Sequence, residues 1–321
     1  MRTVADRWSR SDPATGRTGC TECRNATRVG RMTRRVSVWG GAFWLSRKVR
    51  EQALDAAREL EELGYSRLWT SGGFKDGFPS VYGELLAATT TLELASGIIS
   101  IWHADPETTA AAVADLESRY PGRFLLGVGT SHAPVVDARE NTSYTKPYSR
   151  MVEYLDGLDA ASTPVPTDRR VLAALGPRML KLSAERAAGA HPYFVPSEHT
   201  AIARETLGSE PLLAPEVAVV LETDETVARG IAREYMRGYL ALPNYSNNLR
   251  RLGYTDEDLA DGGSDGLMDA LIPWGDLDSV VAGIEKHYAA GADEVAIQVL
   301  TADPFTFPSE EYRQIASALL S

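Results

Sequence analysis

Cysteine is almost missing from this chain: there are two in 321 residues, Cys20 and Cys23, both close to the amino terminus. Thiols this few cannot staple a fold of this length. A zinc site would need two further ligands, which no second Cys pair or nearby His supplies, so the pair is read as incidental. Histidine is also scarce, at five copies. No stretch sets His, Asp and Glu at metal-ligand spacing, so no metal is expected, and paired-carboxylate hydrolysis finds no support. No apolar run approaches the ~18 residues that span a bilayer. The first thirty residues lack an apolar signal core, and the expected location is cytoplasmic, without a membrane partner. Positive charge is short as well: 33 Lys and Arg face 44 Asp and Glu, for a net charge of −11. Residues 1–35 hold nine Arg and three acids, which leaves −17 on the rest. An acidic body offers no basic face to a phosphate backbone, which argues against a nucleic-acid partner.

What is present is an ordinary enzyme composition, 44% hydrophobic and 24% charged. Residues 1–33 form a basic leader without hydrophobic period, expected to be disordered. Residues 34–321 carry the fold. Strands are predicted from Arg35, Ser66, Leu92 and Phe124. Their spacing of about thirty residues is the length of one strand-plus-helix unit. Ser46 is a candidate cap for a helix that Gly64 ends. Asp105-Pro106-Glu107 is a strong helix start, with a cap, a proline and an acid in turn. Alternation continues with strands at Val171–Leu175, Gly189–Val195, Val217–Leu221 and Glu294–Leu300. Thr223 is the candidate cap after the seventh strand, and 243–275 is an insert of turns and short helices. Eight such units predict a single-domain (β/α)8 TIM barrel. The competing doubly wound sheet lacks its Gly-rich fingerprint after strand one.

In such a barrel ligands bind at the carboxyl ends of the strands. The most informative end is Gly122–Pro134, GRFLLGVGTSHAP, where a buried apolar strand opens through glycines into small polar residues. The other ends offer Trp39-Gly40-Gly41, Ser71-Gly72-Gly73-Phe74, Trp102-His103, Gly176-Pro177-Arg178-Met179, His191-Pro192-Tyr193 and Thr301-Ala302-Asp303. Glycines, aromatics and one Arg suit a flat cofactor with a phosphate tail. Gly176 to Met179 is the phosphate candidate, a tight turn into a helix start carrying an Arg. His132 can hydrogen-bond a ring or a substrate, or can simply pack. Trp39, Trp102, His103, His191 and Tyr193 are pocket candidates, whereas Trp69 is equally consistent with core. His199 and His287 fall on helices and are expected at the surface.

These residues also carry a family resemblance. GRFLLGVGTSHAP, YSRMVEYLDGLDAA (148–161), VLAALGPRMLKLSAERAAGAHPYFVPSEHT (171–200), LLAPEVAVVLETD (212–224) and YLALPNYSNNLRRLGYTDEDL (239–259) together resemble the luciferase-like monooxygenase superfamily. Within it they are most similar to the branch assigned to the deazaflavin coenzyme F420. The likeness covers about residues 34–302. It implies a (β/α)8 barrel, commonly a homodimer, with the cofactor at the strand carboxyl ends. It also implies a non-proline cis peptide on strand three, matched here by Gly97-Ile98. The phosphate tail would lie near Gly176, Pro177, Arg178 and Met179, with Gly129 and Ser131 close by. Some relatives carry an acidic or His residue after strand two. This chain has Ser71-Gly72-Gly73 there, so the expected proton donor passes to His132. The function so implied is hydride transfer between F420 and a small organic substrate. An FMN-dependent, oxygen-using monooxygenase on the same scaffold is the alternative, and a cofactor-binding protein without turnover is another.

Overall fold

The structure is a computed structural model that describes residues 34–45, 47–72, 77–138 and 143–320. The leader, the Ser46 cap, Gly73 and Phe74 lie outside the described residues.

The strands are β1 (Arg35–Gly40), β2 (Arg67–Thr70), β3 (Glu93–Ser96), β4 (Ile99–Ser100), β5 (Phe124–Gly129), β6 (Arg170–Leu172), β7 (Gly189–Ala190), β8 (Leu212–Leu213), β9 (Glu216–Val219) and β10 (Glu294–Val299). Every pairing is parallel, in the order β8-β7-β6-β5-β3-β2-β1-β10-β9, with β4 alongside β5. The two ends of that order, β8 and β9, are joined by Ala214 and Pro215 alone. Ala214 N donates to Ala190 O (3.0 Å) on one side, and Ala296 N donates to Pro215 O (2.9 Å) on the other. Segment 212–219 thus bonds to both ends of the sheet, which curls into the TIM-barrel-like arrangement expected of alternating strands and helices.

Residues along each strand alternate between two cores, the signature of a sheet covered on both faces. Val38, Leu68, Leu94, Leu126, Val217 and Ile297 pack beneath the helices. Trp39, Trp69, Ala95, Leu125, Val171 and Ala296 meet on the other face. Beneath that layer lies a buried ionic group. Arg67, 5% exposed, donates to Glu93 and to Glu294, which is fully buried, and Trp69 Nε1 donates to Glu294 Oε1 at 2.8 Å.

Local departures from expectation have local reasons. Asp105 caps the helix Pro106–Arg119 as expected, accepting from Thr108 N. The helix Arg50–Glu62 is instead preceded by Val49, with no side-chain cap. Asp224 rather than Thr223 caps Glu225–Leu240, because its carboxylate takes two amides, Thr226 N and Val227 N. The strand expected from Leu92 to Ile101 is two pieces, β3 and β4, separated by the cis peptide Gly97–Ile98. Facing that break, Gly127 admits no side chain, since a Cβ there would sit 1.9 Å from Ser96 O. β6 and β7 are shorter than expected, and Pro192, two residues past β7, has no N–H to donate. The insert forms three α-helices, Pro243–Arg251, Asp256–Leu259 and Asp265–Leu271, with a 3-10 turn at Ala260–Gly262. Tyr245, Leu249, Leu267 and Met268 of this insert pack with Met236 of Glu225–Leu240 in a separate apolar cluster.

Candidate active site

The carboxyl ends of the strands open into a cavity of about 610 Å³. Trp39, Gly97, Ile98, Ser131, His132, Gly176, Pro177, Arg178, Met179, His191 and Tyr193 all line it. Three expected site residues do not. Gly129 lies beneath Ile98, where a Cβ would come 2.7 Å from Ile98 Cδ1 and 3.0 Å from Ala173 Cβ, so this glycine seats the isoleucine. Trp102 stands behind the wall. Its Nε1 donates to Thr130 O (2.7 Å), and its ring lies 5.7 Å from Tyr144, which does line the cavity. His103 belongs to the turn after β4, its N–H donating to Ser100 O at 3.0 Å.

The floor is set by β1, β3 and β7. His191 Nδ1 lies 2.6 Å from Ala214 O. A carbonyl only accepts, so Nδ1 carries the hydrogen and Nε2 is left as an acceptor. The ring stacks on Trp69 at 4.0 Å and 4°, and burial lowers its pKa to about 4. Trp39 Nε1 and His191 Nε2 are both buried without a protein partner among the described residues. They flank Gly97, where a Cβ would come 2.7 Å from the first and 3.5 Å from the second. A donor and an acceptor left unpaired in a floor cost about 1–3 kcal/mol each unless something else meets them.

The wall carries His132, at the end of β5, just before the short helix Ala133–Asp137. Its Nδ1 is buried without a protein partner among the described residues, and its ring lies 5.0 Å from Tyr245. Burial holds its pKa below the usual 6.5, so the imidazole is neutral at pH 7. Asn244 Nδ2 donates to Ser131 O (2.9 Å), tying the insert to the same strand end.

The far end is cationic. The helix Pro177–Arg186 starts at Gly176 without a side-chain cap. Pro177 has no N–H, and Met179 N and Leu180 N donate to Gly176 O, so the Arg178 N–H is the first-turn amide left to meet an anion. Arg178 lies with its guanidinium 4.1 Å over the Tyr148 ring. Arg251 lines the same cavity from the end of Pro243–Arg251, and its Nη2 donates to Asn248 Oδ1 at 3.0 Å. A Cβ on Gly176 would lie 3.8 Å from Arg251 Nη2. Among the described residues neither arginine is ion-paired.

Sequence reasoning missed Arg251, Asn244, Tyr239 and Tyr245, all outside the strand ends. It also misplaced two histidines. His199 and His287 are each 2% exposed, because the helices that carry them pack on each other. His199 Nε2 donates to Leu175 O (2.8 Å), and Thr200 Oγ1 lies 2.9 Å from His287 Nδ1. Burial lowers the pKa of His287, like that of His191, to about 4. The unfolded chain therefore binds protons that the folded chain refuses between pH 6.5 and 4. Stability is expected to fall as pH drops through that window, by about 1.4 kcal/mol per pH unit for each of these two histidines. Urea midpoints of the wild type and of His287→Gln measured from pH 7 to 4 check this, the variant falling less steeply because buried Glu216 opposes the histidines equally in both; equal slopes contradict it.

Among the described residues no group of three or more His, Cys, Asp or Glu could hold a metal ion, and no helix is long and apolar enough to cross a membrane. An uncharacterised protein of Mycobacterium tuberculosis is 34% identical over 111 residues, covering 34% of this chain and 32% of that protein. A luciferase-like monooxygenase of Escherichia coli is 37% identical over 100 residues, 29% of each chain. The matches thus span about a third, or less, of the length of these curated relatives. Among solved structures, an F420-dependent secondary alcohol dehydrogenase holding an F420–acetone adduct superposes with a TM-score of 0.68, at 15% identity, over 90% of this chain and 98% of that one. The oxygenating component of the 3,6-diketocamphane monooxygenase of Pseudomonas putida, with FMN, gives 0.64 at 14% identity over 89% and 98%. At these identities the likeness is one of fold. The family model described as luciferase-like monooxygenase matches residues 40–294, and the chain belongs to that family of oxidoreductases.

Proposed function

We propose that this protein is a coenzyme F420-dependent oxidoreductase that passes a hydride between the deazaflavin and a small organic substrate. The observation that carries the reading is the joining, in one cavity, of an apolar floor with unpaired polar atoms and a cationic helix start. A deazaflavin ring edge alternates C=O with N–H, which complements a Trp39 N–H and a His191 Nε2 lone pair. Gly176, Arg178 and Arg251 offer amides and guanidinium groups to a phosphate tail. The residues present therefore fit the group. When bound, the deazaflavin supplies the hydride chemistry, and the protein supplies position and a dry surrounding. Ile98 and Trp39 hold the ring, and Tyr239 and Tyr245 of the wall keep water from it. His132, being neutral, serves as an N–H donor to the reacting oxygen rather than as a strong acid.

Fluorescence titration of the purified chain with F420 and with FMN tests this. F420 is expected to bind more tightly. Arg178→Ala and Arg251→Ala should each weaken it about tenfold, with a smaller salt dependence, since each removes one exposed charge-assisted contact. Binding of FMN without binding of F420 would turn the reading to the oxygen-using monooxygenase. We also propose a homodimer, checked by sedimentation.

A further inference from the structure

Beside the cavity lies a buried carboxyl group that the proposed function does not use. Glu216 begins β9 and is 1% exposed. Phe194 N donates to its Oε2 (3.1 Å), and Tyr235 OH lies 3.2 Å from its Oε1. From there hydroxyls run in a chain: Tyr235 OH to Tyr193 OH is 2.9 Å, and Tyr193 OH to Tyr239 OH is 2.8 Å. Gln298 Oε1 sits beside the first two, 3.3 Å from Tyr235 OH and 3.0 Å from Tyr193 OH. Tyr193 and Tyr239 line the cavity.

We propose that Glu216 is a proton store for this cavity, exchanging its proton through Tyr235, Tyr193 and Tyr239. The inference rests on reading the cavity as the place where a hydride changes hands, because reducing a carbonyl consumes one proton with each hydride. In that direction Glu216 gives its proton to Tyr235, which gives its own to Tyr193, and so to Tyr239 and the acceptor in the cavity. Glu216 is left a carboxylate, and the acceptor is one proton richer. The reverse sequence collects the proton released when an alcohol is oxidised.

The surroundings suit a store. The titratable groups facing Glu216 are Tyr193, beyond β7, Tyr235 and Tyr239 of Glu225–Leu240, Tyr245 of the insert and Tyr312 of the helix Ser309–Leu319. All are phenols, and no cationic side chain among the described residues pairs with it. Burial raises its carboxyl from the usual 4.5 to about 8, against the smaller opposing effect of Phe194 N and Tyr235. Glu216 therefore holds its proton at pH 7. A chain of hydroxyls at 2.8 to 3.2 Å gives that proton a path that an apolar core would not.

Infrared spectroscopy of the full chain tests the store without a substrate. The expected result is a protonated carboxyl band at pH 7 that is absent from Glu216→Gln. On mixing into D₂O its isotope shift should be about tenfold slower in Tyr235→Phe and in Tyr193→Phe than in the wild type, because each variant breaks the hydroxyl chain. Saturating F420 should slow the wild-type shift too. A missing band at pH 7, or exchange in both Phe variants as fast as in the wild type, overturns the proposal. If F420 fails to bind while the band and its slowed exchange persist, the cofactor reading falls and the link between Glu216 and the cavity stands.

Discussion

Replacing His132 with alanine is expected to lower turnover by about 10²–10³-fold while leaving the Kd for cofactor almost unchanged, the loss seen when one preorganised donor to a developing oxyanion is removed. The floor and the cationic end, which would hold the cofactor, come from other strands. His132 stands on the wall at the tip of β5 beside Tyr245. Burial depresses its pKa, and among the described residues no carboxylate acts to keep it charged. The imidazole is neutral at pH 7 and takes its proton at a lower pH than an ordinary histidine. Both protonation states keep an N–H, so this residue should put no acid limb on activity, and the pH profile should keep its shape in the variant. His132→Gln, which keeps an N–H, should recover part of the rate. Steady-state kinetics with a cofactor titration checks each point; an unchanged kcat in His132→Ala removes this residue from the chemistry.

Glu294→Ala should destabilise the fold by about 3–5 kcal/mol, because it strands a buried guanidinium. Glu294 is the first residue of β10 and is fully buried, while Arg67 and Trp69 of β2 both donate to it. Arg67 would keep Glu93, which is half-buried, and lose its inner partner. Arg67→Met combined with Glu294→Leu should restore most of the stability, since the penalty comes from the charge left unpaired rather than from the absence of a pair. Urea denaturation with an unchanged slope and a lowered midpoint is the expected result for Glu294→Ala. A midpoint equal to the wild type would mean that water reaches Arg67.

How much of this was legible in the sequence depended on where the residues lie. Strand ends punctuated by glycine can be read one after another, which is why the sequence by itself brings Trp39, Ser131, His132 and Gly176 to Met179 together. Gly97-Ile98 came from family likeness; nothing in its own composition marks it. Arg251 and Asn244 escaped because the insert follows no strand–helix period, so nothing placed it over one end of the sheet. Glu216 escaped for another reason. A lone acid at the start of an apolar strand looks like a strand terminus in solvent, and only its neighbours in space, Tyr235 and Phe194, show it to be enclosed. His199 and His287 misled in the same way: a helical period does not say that two helices bury their polar positions against each other.

The helix Pro243–Arg251 presents Asn244 and Tyr245 at its start and Arg251 at its last residue, all to one cavity. From Asn244 to Arg251 this rod advances seven steps of ~1.5 Å, about 10 Å, enough to reach from the wall at Ser131 to the cationic end at Gly176. A graft that re-angles the rod to admit a bulkier compound would swing its other tip away from Gly176. On the proposed function, selectivity and coenzyme retention would thus be mechanically yoked, and a change of scope would call for side-chain changes along the rod rather than exchange of the rod itself.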